Sequence, residues 1–369
     1  MDRTGSSKGP REEVEPRSEL GTVGLETEHG GSGSGAGDRP APWLSIGVRR
    51  YAPWMIALAA ALVTFIVAPA LFRPDNLANV TRQASPLLVL AVAQTTVLVS
   101  RGIDLSQAAV MQAAAIGLVV WVGSGVAVPV AFVGVLALGA FIGFLNGIFV
   151  SYGRMPPFIA TLAVGIAVTG VRLVATGGTA SGSVPPFVRD LAVGRMAGVA
   201  YGVLVAAVIA FIVHLVMRRT TAGRRLYAVG ANPEVARASG IRVAGVLIAT
   251  YTGAGFLAAF AGLLLAGNVG FADRNIGAGA ELDSIAAAVI GGATFAGGQG
   301  TVVGTVAGVV VLSLLLNLVL LLGLPAGVQE VVKGVVIIGG LAMYQRMRRQ
   351  QEVRKPLAAR GSGPTRRNR

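Results

Sequence analysis

Long apolar runs separated by short polar connections dominate the chain between residues 54 and 344. Several of these runs reach the ~20 residues that a helix needs to cross a bilayer. They are continuous rather than alternating, which predicts helices rather than the strands of a barrel. By their length, the runs predict about ten spans, near Trp54–Phe72, Gln83–Ser100, Leu105–Gly123, Val126–Val150, Pro157–Thr176, Val199–Met217, Val246–Gly267, Leu282–Phe295, Val302–Leu322 and Gln329–Tyr344.

The composition predicts an all-α, polytopic membrane protein flanked by polar tails. Hydrophobic residues make up 53% of the chain and charged residues 13%, whereas soluble domains carry about 25% charged residues. Residues 1–45, with GGSGSGAG and scattered charges, are too polar to bury a core and predict a disordered tail. Residues 46–345 form the predicted transmembrane domain, which includes a polar loop over 218–245, and residues 346–369 form a basic tail.

The formal net charge of +14 comes mainly from arginines in tails and connections, which does not indicate nucleic-acid binding. Basic residues concentrate in the cytoplasmic loops of membrane proteins. With the N-terminus inside, the connections assigned to the cytoplasm contain Arg101, Arg154, Arg218, Arg219, Arg224, Arg225, Arg237 and Arg242. This distribution predicts a multi-pass protein of the cell membrane with both termini in the cytoplasm.

Several catalytic and energy-coupling motifs are missing from the sequence. It contains no cysteine, no nucleotide-binding G-x-x-x-x-G-K-[ST], no H-E-x-x-H and no G-x-S-x-G. His29 and His214 stand far apart in the sequence and predict no metal site. Most ionisable residues stand at span ends, and Arg172, the deepest, is close enough to its helix end to snorkel. Glu330 and Lys333, three residues apart on a predicted helix, can neutralise each other. We therefore expect a transport subunit that is not an enzyme and takes its energy from another protein.

A basic, turn-rich segment, TTAGRRLYAVGANPEVARASGI from Thr220, interrupts the apolar pattern. Asn232 suits the N-cap of a helix, with Pro233 at the first helical position and Gly240 at the end. The predicted helix has roughly two turns and needs a surface to dock against. Gly223 and Gly230 are expected to bend the chain before it. The segment predicts a cytoplasmic docking helix rather than an ordinary charged loop.

Four blocks, in order, resemble ribose-type ABC transporter permeases, the membrane subunits of bacterial simple-sugar importers. They are GIDLS from Gly102, NGIFVSYGRMPPFIATL from Asn146, GRRLYAVGANPEVARASGI from Gly223 and ELDSIAAAVIGGATFAGGQGTVVGT from Glu281. The ending LLGLPAGVQEVVKGVVII from Leu321 also agrees. The resemblance extends from about the second predicted helix to the last.

The resemblance implies a type II-like importer permease that works as a pair, either a homodimer or with a paralogue. Two cytoplasmic ABC ATPase subunits would use ATP and Mg²⁺, and this chain itself would hold no cofactor. An extracytoplasmic solute-binding protein would deliver a small neutral solute. The expected solute is a monosaccharide such as ribose, with a nucleoside, a signalling sugar derivative or a branched amino acid as alternatives.

Two sets of residues match the blocks of the family. The set expected to form and shape the ATPase contact is Gly223, Arg224, Ala228, Gly230, Asn232, Ala236, Gly240 and Ile241. The set expected near the substrate pathway is Asp104, Ser106, Asn146, Phe158, Thr161, Glu281 and Asp283. For Asp104 and Ser106, capping of a helix stays open beside a role in the pathway.

The chain departs from the family on both sides of GIDLS. Arg101 stands where the family usually has a glycine, and Gln107-Ala108 replaces a small Val-Gly pair. The added bulk and charge predict altered local packing. Separately, the related triplets at Asp104–Ser106 and Leu282–Ser284 both open apolar helices, which fits two related halves as well as it fits chance.

Two other classes of membrane protein stay open at this point. A secondary carrier or channel for a small polar solute needs its own ion site or an open pore, for which Arg172 is the one candidate. A non-transporting scaffold or receptor subunit keeps the docking helix and loses the pathway, which the changes at Arg101 and Gln107 favour. Co-purification of an ATPase subunit separates a secondary carrier or channel from an importer.

Overall fold

The computed structural model describes residues 42–178, 182–325, 327–331, 333–335 and 338–339, with side chains from Pro53 onward. From Ile46 on, they belong to one compact unit. The helices are α1 (Pro42–Val67), α2 (Pro74–Val99), α3 (Gln107–Gly123), α4 (Val128–Ser151), α5 (Pro157–Thr176), α6 (Pro186–Val193), α7 (Tyr201–Arg219), α8 (Thr221–Ala231), α9 (Pro233–Ala238), α10 (Val243–Val269), α11 (Ala280–Ile290) and α12 (Val302–Leu321). Apart from residues 42–45, with which α1 begins, the predicted tails at 1–45 and 346–369 lie outside the described residues.

The helices of the described ranges confirm an all-α membrane fold. Six of them, α2, α4, α5, α7, α10 and α12, are long and apolar enough to cross a bilayer. The apolar part of α1 (Pro53–Val67) and α3 are shorter. The predicted count of ten full spans is not confirmed, because the eighth is the short α11 and the tenth lies partly outside the described residues.

Helix α11 is too short to cross the bilayer, and its length has a physical reason. It has 11 residues, which rise about 16 Å, roughly half of the hydrocarbon thickness. Gly279 before it and Gly292 after it both have positive φ angles, of 82° and 89°. Such left-handed backbone stops a helix on either side. An apolar run alone does not reveal these limits.

The end of the bundle where α5 and α10 finish contains elements that the apolar pattern did not predict. Helix α6 starts with Pro186 directly after Pro185, in the position where proline suits a helix start. Two pairs of two-residue antiparallel strands lie beside it. They are β1 (Gly182–Ser183) with β4 (Phe271–Ala272), and β2 (Arg195–Met196) with β3 (Val199–Ala200).

Helix α10 lies at the centre of the bundle and packs on α2, α3 and α4. Its backbone touches that of α4 because α4 presents glycines at four-residue spacing. A side chain at Gly143 would strike the carbonyl of Tyr251, and one at Gly147 would strike the backbone of Ile248. A row of small residues at this spacing allows such close approach of two helix backbones.

Helices α11 and α12 make a second close pair through glycine. Side chains at Gly304 and Gly308 of α12 would strike the backbone carbonyls of Gly291 and Ala287. Both helices also pack on α2. Helix α2 is thus surrounded by α7, α10, α11 and α12, and its last residue, Val99, opens towards the face on which α8 lies.

Candidate functional site

The basic segment after α7 forms two helices, not the single short helix that the sequence predicts. Helix α8 begins after Thr220, whose hydroxyl oxygen accepts a hydrogen bond of 3.2 Å from the Gly223 amide. Gly223 and Gly230 lie inside α8, so the expectation that they bend the chain is wrong. Both are places where another backbone comes too close for a side chain, as at the Met217 carbonyl beside Gly223.

Helix α9 has the caps that the sequence predicts. The Asn232 side-chain oxygen accepts hydrogen bonds from the amides of Glu234 at 2.9 Å and Val235 at 3.2 Å. Gly240 has a φ of 79°, and the amide that follows it, of Ile241, donates to the Ala236 carbonyl at 3.0 Å. This is the left-handed glycine ending of a helix.

Apolar contacts seat the α8–α9 pair on the bundle. Val229 and Ala236 are buried together with Val243 at the start of α10. Leu226 is buried with Val99 and Met217, at the ends of α2 and α7. The pair therefore rests on three spanning helices rather than hanging in a free loop.

A tight junction joins α8 to two turns of the bundle. A side chain at Gly230 would strike the Val99 carbonyl, and that carbonyl accepts a hydrogen bond of 2.8 Å from the Gly298 amide. The Tyr227 hydroxyl donates to the Gly300 carbonyl at 2.7 Å. Burial, the larger effect, raises the pKa of Tyr227, so the phenol stays a neutral donor. We call Val99, Gly230 and Gly298 the glycine junction.

The outer face of the pair has a net positive charge and one large exposed apolar side chain. Arg224, Arg225, Arg237 and Glu234 are exposed, and Val235 is 60% exposed. Of the residues predicted for the ATPase contact, Gly223, Gly230 and Ala236 are buried and face the bundle, while Ala228 and Ile241 are half-buried and Arg224, Asn232 and Gly240 are exposed. The buried residues shape the segment, and the exposed ones are available to a partner.

The departure at Arg101 has a defined backbone role. Helix α2 ends with the Arg101 amide donating to the Leu98 carbonyl and the Gly102 amide donating to the Val97 carbonyl. In this type of helix ending the residue at the position of Arg101 is left-handed and usually glycine. Arg101 has a φ of 70°, a conformation that costs a non-glycine residue about 1–2 kcal/mol.

The connection between α2 and α3 carries a buried polar cluster. The Ser106 hydroxyl donates to one carboxylate oxygen of Asp104 at 2.6 Å, and the Ser106 amide donates to the same oxygen at 2.9 Å. Asn146 of α4 donates to the Ser106 hydroxyl oxygen at 2.7 Å. Asp104 is 1% exposed, and burial, the largest effect, raises its pKa to about 6. Its second carboxylate oxygen has no partner among the described residues.

Helix α5 joins the same cluster through one threonine. The Leu105 amide donates to the Thr161 hydroxyl oxygen at 3.1 Å, and Thr161 is fully buried. Phe158 of the same helix is 52% exposed. The structure thus brings together Asp104, Ser106, Asn146 and Thr161 and leaves Phe158 outside the cluster.

The two helix starts with related triplets meet in the bundle. The Ser284 hydroxyl of α11 lies 3.3 Å from the Gln107 side-chain oxygen of α3, and both residues are buried. Gln107, which replaces the small residue usual in the family, therefore fills the space between these helix starts. Sequence reasoning named Gln107 as a departure but not as a contact to the second triplet.

Glu281 and Asp283 stand at the start of α11, apart from the Asp104 cluster. Lys333 binds Asp283 at 2.8 Å and Glu330 at 2.9 Å. The pairing of Glu330 with Lys333, three residues apart, is what the sequence predicts, and Asp283 completes it. Asp283 also lines a cavity of about 360 Å³, together with Gln83, Met111, Leu265, Ser313 and Asn317.

The apolar bundle, its exposed capped helix pair and its buried polar connections together define a multi-pass membrane permease. The chain belongs to the family described as the permease component of branched-chain amino acid transport systems, whose sequence model matches residues 76–341. This match confirms the resemblance to ABC import permeases that the four sequence blocks carry.

Relatives with about a third of their residues identical cover most of the chain. The ribose import permease of Escherichia coli strain K12 is 35% identical over 77% of this chain and 90% of its own length. The galactose/methyl galactoside import permease of Haemophilus influenzae is 33% identical over 73% of this chain and 85% of its own. The autoinducer 2 import permease of Escherichia coli O157:H7 is 33% identical over 79% of this chain and 86% of its own length. No solved structure matches the chain.

Proposed function

We propose that this chain is the membrane subunit of an ATP-driven importer and that α8–α9 is the docking site of its ATPase subunit. The observation that carries the proposal is the capped, exposed helix pair seated on α2, α7 and α10. A helix of six residues is not stable alone in water. The bundle nevertheless holds this helix at the surface, with a basic face and an exposed Val235. Such a surface suits the binding of a protein partner and contributes little to the packing of the bundle.

Movement of a docked ATPase would reach the bundle through the glycine junction. The Val99 carbonyl touches α8 at Gly230 and the turn before α12 at Gly298. Packed backbones transmit displacement because no flexible side chain lies between them. ATP and Mg²⁺ would be bound by the ATPase subunits, with this chain supplying the contact surface and the solute path.

The proposed solute is a small neutral molecule, with a monosaccharide first. The named relatives import ribose, galactose or autoinducer 2, and the described polar groups within the bundle are mostly uncharged hydroxyls and amides. In the cavity, Gln83, Ser313 and Asn317 offer the groups that hydrogen-bond sugar hydroxyls. The earlier assignment of Asp104, Ser106, Asn146 and Thr161 to the pathway stays a prediction, and these residues are closed off in this conformation.

A branched amino acid is the second candidate, because the family description names that substrate class. A zwitterion needs a cation for its carboxylate as well as an acceptor for its ammonium group. The cavity lining contains the carboxylate of Asp283, which is already paired with Lys333. Among the described lining residues, this pairing leaves the two charges of an amino acid without free partners, which favours the neutral solute.

The proposed assembly contains two permease copies, two ATPases and an extracytoplasmic binding protein, with α8–α9 and both termini in the cytoplasm. The arginine-rich connections support this orientation, since Arg101, Arg154, Arg224 and Arg237 all belong to the end of the bundle on which α8–α9 lies. Labelling of single cysteines placed at Ala222 and at Ala197 from either side of the membrane tests the orientation. The chain has no cysteine of its own to interfere.

Co-purification and transport test the function. Wild-type permease and a variant lacking Asn232–Gly240 are purified from the native membrane in mild detergent. We expect a stoichiometric ATPase subunit with the wild type and none with the deletion. Uptake of radiolabelled ribose, galactose and leucine in cells is measured in parallel. Wild-type uptake by the deletion variant would contradict the docking site. If the wild type takes up leucine and neither sugar, the proposed solute is an amino acid and not a monosaccharide.

A further inference from the structure

The sequence marks Arg101 as a departure from the family, and the proposed function does not use this residue. It lies at the end of α2 with a left-handed backbone, where glycine is the unstrained choice. Its side chain is exposed and forms no ion pair with a described residue. Residues in strained conformations cluster at functional sites because the rest of the structure must hold them there.

The stem of Arg101 lies against the glycine junction. A side chain at Gly297 would strike the Arg101 Cγ atom and would also crowd the Gly230 carbonyl at 2.7 Å. Gly297 has a φ of 76° and leaves room for the arginine stem where any other residue would fill it. A single residue, Gly297, therefore lies between the stem of Arg101 and the backbone of α8 at Gly230.

The position of Arg101 favours a protein partner over lipid. It directly follows α2, which packs on α7, α10, α11 and α12, and its stem lies against Gly297 beside the Gly230 carbonyl. Arg224, Arg225 and Arg237 on α8–α9 are exposed on the same side and have the same charge. An acidic surface complements such a set of arginines, and the guanidinium fork matches carboxylates in particular.

We propose that Arg101 is part of the docking surface and binds a carboxylate of the ATPase subunit beside the α8–α9 contact. This inference rests on the proposed function and adds to it a residue from a different element. The contact places the end of α2 directly against the partner, next to the connection that carries Asp104. The strained backbone at Arg101 is the cost of presenting a charge where glycine would hold the same turn.

Arg154 supplies a matched control for Arg101. It is an exposed arginine with a φ of 51°, in the turn between α4 and α5 at the same end of the bundle. Replacement by glycine relieves the backbone at either position. The variants Arg101→Gly, Arg101→Lys and Arg154→Gly are made in the full chain and reconstituted in nanodiscs of neutral lipid and, separately, of anionic lipid. Affinity for the purified ATPase and the thermal midpoint of the permease are then measured.

We expect Arg101→Gly to weaken ATPase binding about tenfold and to reduce the salt dependence of binding. Arg154→Gly should bind the ATPase with wild-type affinity. Both glycine variants should raise the thermal midpoint similarly, which separates binding from folding. Arg101→Lys should keep part of the affinity.

Affinity of Arg101→Gly within about twofold of the wild type, or an equal loss in Arg154→Gly, overturns the inference. A loss seen only with anionic lipid assigns Arg101 to the membrane instead. Deletion of Asn232–Gly240 in the same assay tests the proposed function separately: binding that survives this deletion refutes the docking site itself.

Discussion

The amide of Gly298 donates a hydrogen bond of 2.8 Å to the carbonyl of Val99. These residues are separated by about half of the chain, and their bond ties the end of α2 to the turn that precedes α12. Gly230 of α8 packs on the same carbonyl. Three segments thus meet at one peptide group, and the meeting point has no room for a side chain.

Substitution of Gly230 tests whether this junction couples the two ends of the transporter. In Gly230→Ala the new methyl group strikes the Val99 carbonyl, which must displace α8 from its seat. We expect ATP hydrolysis by the reconstituted complex to continue while solute uptake falls at least about tenfold, since overpacking costs about 1–3 kcal/mol. Gly253→Ala, at an exposed position of α10 with open space around it, is the control and should transport normally.

Stability should depend on pH through Asp104. Its pKa of about 6 in the folded protein lies above the usual 3.8, so the folded state binds the proton more tightly. Stability therefore falls as pH rises from 4 to 6 and then levels off, by about 3 kcal/mol in all. Asp104→Asn should abolish this slope and raise the thermal midpoint at pH 7.5. An unchanged slope in that variant would assign the dependence to another group.

Asn232 is expected to set the order of α9 without affecting the bundle. Asn232→Ala removes the two capping hydrogen bonds, which costs about 1 kcal/mol. Amide hydrogen exchange should speed up over Pro233–Ala238 and stay unchanged in α10. Ser239→Ala, at an exposed position on the same segment, provides the comparison. Equal exchange in both variants would show that packing of Ala236 alone holds the helix.

The α4–α10 contact should be the least tolerant of added volume. Gly143→Val drives two methyl groups into the backbone at Tyr251, and we expect loss of several degrees in thermal midpoint or loss of folded protein. A Cβ atom added at Gly170 on α5 meets no other atom within 4 Å. Gly170→Val should therefore leave the thermal midpoint close to that of the wild type. Similar losses at both positions would mean that helix propensity, not packing, determines the effect.

Local chemistry in the sequence predicted the parts of the site that depend on neighbours along the chain. The caps of α9 at Asn232 and Gly240 and the pair of Glu330 with Lys333 follow from spacing of three to eight residues, and all are present. Helix α8 was missed because Gly223 and Gly230 indicate bends when only local propensity is considered. Their actual reason, a backbone pressed against them, is visible only in three dimensions.

Contacts between distant segments were beyond the sequence for the same reason. The hydrogen bond of Asn146 to Ser106 spans 40 residues, and that of Ser284 to Gln107 spans 177. The motifs named these residues as candidates but gave no basis for pairing them. The burial of Asp104 was also missed, because its place directly before the predicted span at Leu105 indicates only a residue at the end of a span.

The interlocked glycines of α4 and α10 have a mechanical consequence. Each notch accepts one backbone group, so sliding one helix past the other by a single residue would drive Gly143 and Gly147 out of register and bring larger neighbours against the opposing chain. We therefore expect the two helices to move together as one rigid body. Alternation between outward and inward openings is then expected from helices that are not interlocked with α4 and α10 in this way, such as α5 and α7, most of whose residues are not buried in this chain.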